Sequence, residues 1–394
     1  MIEKQLHYFI PQRFEYLTKV KKIEYDGVNL KTAFLINIIH ELILKHYFTE
    51  DVELSVFKDT SFNLWSLILR KKYGMYYSKY INYLIEKGFI TLVSDYYVNK
   101  KSKTYKINHF DPNTIKQCIV YDTTLIKKSS REYIENSISN HMNSPIDEKM
   151  RKRLVDDIYS VEIDYNKSFD FLNWMKKNKT IDNEKYYKNY NSIEGIKNNN
   201  LFFKFDDYGR FHTNFTILKK EIRQRYLKID GDDIMEIDIK NSQPLFLASI
   251  LSQEMDPSDD EIKKFIELAK EGLFYDYFVD KFPGTNRKDI KLLIYKVLFG
   301  RNGIKTIQNK RFQEVFPKIY DYILDYKKMN DDYRYLSHRL QRMESDFIFG
   351  KVIKEIWEKY PHIKLFTVHD SINFPMKYKR QVEEIFMDNL KKLF

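Results

Sequence analysis

MEIDIKNSQP (235–244) and LFTVHDSINFP (365–375) each set an aspartate, Asp238 and Asp370, inside a run of alternating apolar side chains. Met235, Ile237 and Ile239 share one phase, and Phe366 and Val368 another, a two-residue period that predicts strands rather than helices. A buried strand that delivers a carboxylate to its end is costly unless a cation waits there. Two such charges about 4 Å apart repel by roughly 4 kcal/mol at an effective dielectric near 20. A divalent metal removes that cost, and two Mg²⁺ ions can clamp the attacking and leaving oxygens of a phosphoryl transfer. Taken singly, each aspartate reads equally well as a loop-edge carboxylate or a helix cap. The pair acquires meaning from what lies between.

Between them runs NRKDIKLLIYKVLFGRNG (286–303), in which Arg287, Lys291, Tyr295 and Phe299 recur every four residues and Gly300 follows. On an α-helix this spacing stacks the four on one slowly drifting stripe. Two cations are then positioned for phosphates, and two aromatic faces for a base and a sugar. Gly300 permits close approach at the helix end. An amphipathic helix with an aromatic core stripe is the plain alternative for this segment alone. The order carboxylate strand, basic–aromatic helix, His-Asp strand argues for chemistry.

These three segments resemble motifs A, B and C of family A DNA polymerases and of the single-subunit, phage-type RNA polymerases. The resemblance implies metal binding by Asp238 and Asp370, with His369 beside the latter. It implies nucleotide binding by Arg287, Lys291, Tyr295 and Phe299, followed by Gly300. Two further segments fit the same order. YGRFHTN, with Gly209 and Arg210, resembles the Gly-Arg that touches the primer–template duplex. LQRMESDF, with Gln341, resembles the helix that contacts the nascent pair. Together the matches span about residues 205 to 375, roughly half of the chain.

Departures from the family pattern bear on sugar choice. Gln243 stands five residues after Asp238, where the DNA enzymes place Glu and the RNA enzymes Gly. A bulky Gln is expected to crowd a ribose 2′-hydroxyl, which favours deoxynucleotides. Phe299 replaces a Tyr, removing the hydroxyl that the family's Glu would bond. His369–Ser371 reads His-Asp-Ser, closer to the RNA enzymes. The balance leans towards DNA.

The chain's 394 residues carry 67 Lys and Arg against 56 Asp and Glu, a net charge of +11. Such an excess draws polyanions and makes their binding salt-dependent. Residues 100–131 hold eight basic residues against two Asp, and Lys219–Lys228 hold five against one Glu. Aromatics suit base stacking, although Lys, Asn, Ile and Tyr enrichment also follows from AT-rich coding. A lone cysteine, Cys118, excludes an internal disulfide and a Cys-based zinc site and fits a reducing cytoplasm. The most apolar stretch, Ala33 to Leu44, is broken by Asn37, His40 and Glu41, so no membrane partner is expected.

In the N-terminal third, helices are predicted over 32–48, 62–72 and 77–87, with Gly88 as a stop. Strands at 90–98 and 104–108 then flank the polar turn NKKSK. This arrangement resembles a winged helix-turn-helix domain. The resemblance implies that Tyr77, Ser78, Lys79 and Tyr80 open a recognition helix and that Lys100, Lys101 and Lys103 tip the wing. Further helices are predicted over 146–162, 165–177 and 182–197, where the family's thumb lies, with MRKRL (150–154) as a contact patch.

The expected fold is therefore α+β: a right-hand polymerase palm built on an antiparallel sheet, with helical fingers and thumb-like helices, preceded by a winged helix-turn-helix domain. The expected divisions are 1–115 for the winged helix, 116–200 for a helical linker or thumb, and 201–394 for palm and fingers. The expected function is template-directed nucleotidyl transfer by a small DNA-dependent DNA polymerase without a proofreading exonuclease. Its cofactor is two Mg²⁺ ions, with Mn²⁺ as a substitute. Its partners are a DNA primer–template, nucleoside triphosphates and other replication proteins, in the cytoplasm or that of a host. A primase or small RNA polymerase starting chains de novo is one alternative, and a non-catalytic replication initiator is another.

Overall fold

The computed structural model describes residues 6–48, 61–64, 66–95, 103–108, 114–128, 146–206, 208–301, 307–328 and 333–394. They form a mixed α and β structure with antiparallel strand pairing, divided into two compact units that interleave along the chain. One unit takes the described residues of Met1–His141, Ile163–Phe202 and Ile217–Tyr226; the other takes those of Met142–Glu162, Phe203–Thr216 and Leu227–Phe394. Residues 116–200, read from the sequence as one segment, are thus shared between the units.

In the first unit the helix Thr32–Phe48 lies in a core with Leu84, Phe89 and Ile90. His40 on that helix is buried, and its Nδ1 accepts the Phe9 amide at 3.0 Å. Burial drives its pKa down to about 3, so it is a neutral structural acceptor. Helices Ser66–Tyr73 and Tyr77–Glu86 follow, and strands Ser61–Asn63, Thr104–Ile107 and Ile90–Ser94 form a three-stranded sheet in that order. The helix predicted from residue 62 begins four residues later, because Ser61–Asn63 pair with Thr104–Lys106 as a strand. The predicted helices of the middle region appear as Glu148–Ile158, Tyr165–Lys177 and Asn183–Lys197, each with an aspartate N-cap.

A sheet with strand order Phe366–Val368, Ser371–Pro375, Asp232–Asp238, Leu227–Ile229, Val161–Ile163 organises the second unit. Ile234 pairs with Pro375 and Asp238 with Ser371, antiparallel throughout. Five phenylalanines on or between neighbouring helices, Phe265, Phe274, Phe278, Phe312 and Phe316, pack with ring centroids 4.7–6.0 Å apart. Each is almost fully buried, which stabilises by roughly 1.5–3 kcal/mol per ring.

Asp157, on the helix Glu148–Ile158, is buried and accepts the Leu365 amide at 3.0 Å, just before the Phe366 strand. Burial raises its pKa to about 7, against the opposing pull of that amide, Arg153 and Lys364. Its folded pKa exceeds the unfolded value, so its contribution is intact below about pH 4 and is lost as pH rises through 7. Asp157→Asn keeps an acceptor for the amide without the charge. In denaturant titrations the variant is expected to be more stable than the parent at pH 8, by roughly 4 kcal/mol at most. The difference should vanish near pH 4.

Candidate active site

The strand Asp232–Asp238 ends on Asp238, whose partner Ser371 directly follows Asp370. Antiparallel partners lie about 4.5–5.5 Å apart at Cα, so both carboxylates leave the same end of the sheet. Asp370 and His369 form the two-residue turn between the strands Phe366–Val368 and Ser371–Pro375. His369 takes a left-handed backbone, φ +55°, which costs a non-glycine residue about 1 kcal/mol. After Asp238, Asn241 is also left-handed, φ +55°, and turns the chain abruptly into the helix Ser242–Glu254.

Asp238 is exposed and Asp370 half-buried. The Asp370 carboxyl is pushed well above the ordinary carboxylate range, first by burial, then by the negative charges of Glu344 and Asp238; Lys291 opposes them. Glu344, Asp238 and Lys291 therefore all lie close enough to act on Asp370.

Glu344 lies in LQRMESDF, where the sequence singles out Gln341 rather than this carboxylate. It is 4 % exposed on the helix Tyr335–Ser345. Its Oε1 accepts Arg210 Nη2 at 2.8 Å and Nε at 3.3 Å. Its Oε2 accepts Ser242 Oγ at 2.6 Å and Gln243 Nε2 at 2.7 Å. Burial works against the Arg210 charge, but Glu344, Asp206 and Asp370 outweigh it and raise its pKa. The Nε–Nη2 edge of Arg210, expected to face a duplex, is turned to Glu344 instead.

Arg210 reaches Glu344 from a hairpin of strands Phe203–Phe205 and Phe211–Thr213. Asp206 closes the turn by accepting the Tyr208 and Arg210 amides, at 3.0 and 2.8 Å, while Gly209 supplies φ +87°. The tip also docks on the Glu344 helix where Ser345 Oγ donates to the Gly209 carbonyl at 2.9 Å and where Tyr208 stacks on His338 at 4.3 Å, its hydroxyl 2.9 Å from His338 Nε2. The other oxygen of Asp206 lies 3.0 Å from His212 Nε2, and the His212 ring is 6.4 Å from that of His369.

In the helix Arg287–Phe299, Ile290, Leu293, Ile294, Val297 and Leu298 form the buried face. Arg287, Lys291, Tyr295 and Phe299 consequently fall on a more open one. Lys291 Nζ sits 5.5 Å from the Tyr295 centroid, and Tyr295 and Phe299 are 5.3 Å apart. Arg287 pairs with Asp276 at 2.5 Å and lies over Tyr275 at 5.5 Å. Tyr275, buried, has its hydroxyl pKa raised by burial and by Tyr295 and Asp370, which places it at the same site. It too went unnoticed in the sequence. An Asn286–Asp289 capping box starts the helix. Buried Lys327 closes it, donating to the Val297 and Gly300 carbonyls at 2.6 and 2.8 Å. At Gly300 a Cβ would meet the Lys296 carbonyl oxygen at 2.4 Å, so the glycine has a backbone reason of its own.

Gln341 is half-buried on the Glu344 helix, three residues from Glu344 itself. In the first unit, Lys79 is ion-paired with Asp26, and Lys103 with Asp95 at 3.2 Å. Ser78 is exposed, but Tyr80 is buried and its hydroxyl accepts the Lys31 amide at 3.0 Å, so Tyr80 does not belong to an outward face. Lys100 and Lys101 lie outside the described residues.

Among the described residues, no cluster of three or more acidic, His or Cys side chains could hold a metal ion. Glu344 is excluded as a ligand because donors occupy its oxygens. Asp238 and Asp370 alone suit Mg²⁺, which is commonly held by one or two carboxylates plus waters and substrate phosphates. A cation there would relieve the crowding of charge around Asp370. No helix among the described residues is long and apolar enough to cross a membrane.

No protein-family model and no curated protein sequence matches the chain.

Breaking the Arg210–Glu344 pair strands a buried charge. Arg210→Met is therefore expected to cost roughly 3 kcal/mol or more in urea denaturation. Lys291→Ala, on an exposed face, should stay within about 0.5 kcal/mol.

Proposed function

We propose that the chain is a template-directed nucleotidyltransferase, a small magnesium-dependent DNA polymerase whose second unit carries palm and fingers. The observation that carries this reading is the delivery of Asp238 and Asp370 to one end of an antiparallel sheet, with Lys291 opposing their charge. A structural ion cluster would be neutralised by its own lysines and arginines. Here Arg210 is taken up by Glu344 and Arg287 by Asp276, and Lys291, on an exposed face, opposes the charge of Asp370 only in part.

Asp238 and Asp370 would hold Mg²⁺, which would supply Lewis-acid activation of a primer 3′-hydroxyl and charge neutralisation for the leaving pyrophosphate. Lys291 and Arg287 bind the incoming triphosphate, Arg287 by exchanging Asp276 for phosphate. Tyr295 and Phe299 present adjoining faces to the nascent base pair and exclude water. Gln243, in the first turn after Asp238, crowds the sugar 2′ position. Arg210 acts from beneath, holding Glu344, and the Gly209–Arg210 hairpin lines the duplex path. His369 supports the turn that aims Asp370. In the first unit, the helices 32–48, 66–73 and 77–86 followed by the antiparallel strands 90–94 and 104–107 support a winged-helix head for DNA.

The test uses purified protein with Mg²⁺ on a single-stranded template, with and without an annealed primer, and with deoxynucleotides or ribonucleotides in separate reactions. Primer-dependent deoxynucleotide extension is expected, lost by at least a thousandfold in Asp238→Asn and Asp370→Asn without loss of fold by circular dichroism. Gln243→Gly is expected to raise ribonucleotide use. Unprimed ribonucleotide products would instead indicate a primase or RNA polymerase. Undiminished synthesis by Asp370→Asn would remove the proposed centre.

A further inference from the structure

Glu344 has a place in substrate selection that its burial conceals. Gln243 is 5 % exposed, and its amide nitrogen is committed to Glu344 Oε2 at 2.7 Å. Ser242, one residue earlier, donates to the same oxygen. The first turn of the helix Ser242–Glu254 is therefore held by two bonds to one carboxylate, and Arg210 fixes that carboxylate from the other side. A glutamine side chain has three rotatable bonds and loses much rotamer freedom when pinned. The bond to Glu344 selects one rotamer among those the surrounding packing allows. Phe299 supplies no hydroxyl that could take over the pinning. The pinning group therefore comes from a helix about a hundred residues further along the chain.

We propose that Glu344 is a positioning residue for sugar discrimination: it locks Gln243 so that bulk at this position excludes a 2′-hydroxyl. This rests on the polymerase reading above and deepens it. Discrimination resides in the Gln243–Glu344 bond rather than in the size of residue 243. A bond to a charged acceptor stabilises one rotamer enough for about a tenfold effect or more.

The distinguishing variant is Gln243→Met, which nearly preserves length and volume but cannot bond Glu344. It leaves the Arg210–Glu344 and Ser242–Glu344 bonds in place, so the fold has no cause to fail. Glu344→Ala and Glu344→Gln accompany it; the second retains an amide oxygen for Ser242 and Gln243. The readout is the ratio of kcat/KM for deoxynucleotide to that for ribonucleotide in single-nucleotide primer extension, which a general loss of stability does not move. Gln243→Met and Glu344→Ala are expected to lower the ratio about tenfold, while Glu344→Gln retains most of it. A Gln243→Met protein with the parental ratio would overturn the lock and leave plain bulk as the gate, with the polymerase reading intact. A parent protein that extends no primer with either nucleotide would overturn that reading, and this inference with it.

Discussion

Four donors converge on one buried carboxylate, and much of the site's geometry follows from that. Arg210 gives Glu344 two bonds from a hairpin tip, and Ser242 and Gln243 give it one each from a helix start. These groups lie more than a hundred residues from Glu344, so the bonds fix three separate stretches of chain against each other. Burying an ion pair is rarely a net gain over apolar packing, because desolvation consumes most of the attraction. What the pair supplies is uniqueness of arrangement: any slip of hairpin or helix leaves a charge stranded. The strand carrying Asp238 runs directly into the helix held by Ser242 and Gln243, with only Ile239 to Asn241 between. Pinning the helix start therefore limits where Asp238 can point.

The same carboxylate shapes the electrostatics. Its charge, with that of Asp238, disfavours ionisation of Asp370, and Lys291 offsets this only in part. Evolution for stability alone would remove such a conflict by placing an amide at one of the three positions. On the proposed function, a divalent cation arriving with a polyanionic substrate would relieve the conflict. The basic–aromatic helix is firmly held: its apolar face is buried, and its two ends are fixed by a capping box and by Lys327.

Much of this was legible in the sequence, for definite physical reasons. A two-residue apolar period around Asp238 and Asp370 identified their strands, and the helices expected over 146–162, 165–177 and 182–197 are found at Glu148–Ile158, Tyr165–Lys177 and Asn183–Lys197. The four-residue repeat from Arg287 to Phe299 placed that stripe on one face. Glu344 escaped because LQRMESDF was read for Gln341 alone, yet a signal was present: Leu336, Leu340, Glu344 and Ile348 recur at four-residue spacing. A lone carboxylate in an otherwise apolar stripe needs a buried partner, which Arg210 provides. Tyr275 was hidden among five aromatic residues between 274 and 282, where spacing distinguishes no single ring. Residues 62 and 63, expected to open a helix, form a strand with residue 61 because the pairing with 104–106 is set by distant residues, not local propensity. The π-helical segment Asp346–Ile353, continuing the Glu344 helix, likewise had no sequence signature beyond Gly350 in an apolar run.

The central claim is that Asp238 and Asp370 form one divalent-cation site. Electron paramagnetic resonance of Mn²⁺ titrated with the full-length protein tests it directly. Loss of the free-ion signal on adding parent protein, abolished in Asp238→Asn and in Asp370→Asn but kept in Glu344→Gln, is the predicted result. Equal Mn²⁺ uptake by the parent and both aspartate variants would contradict it.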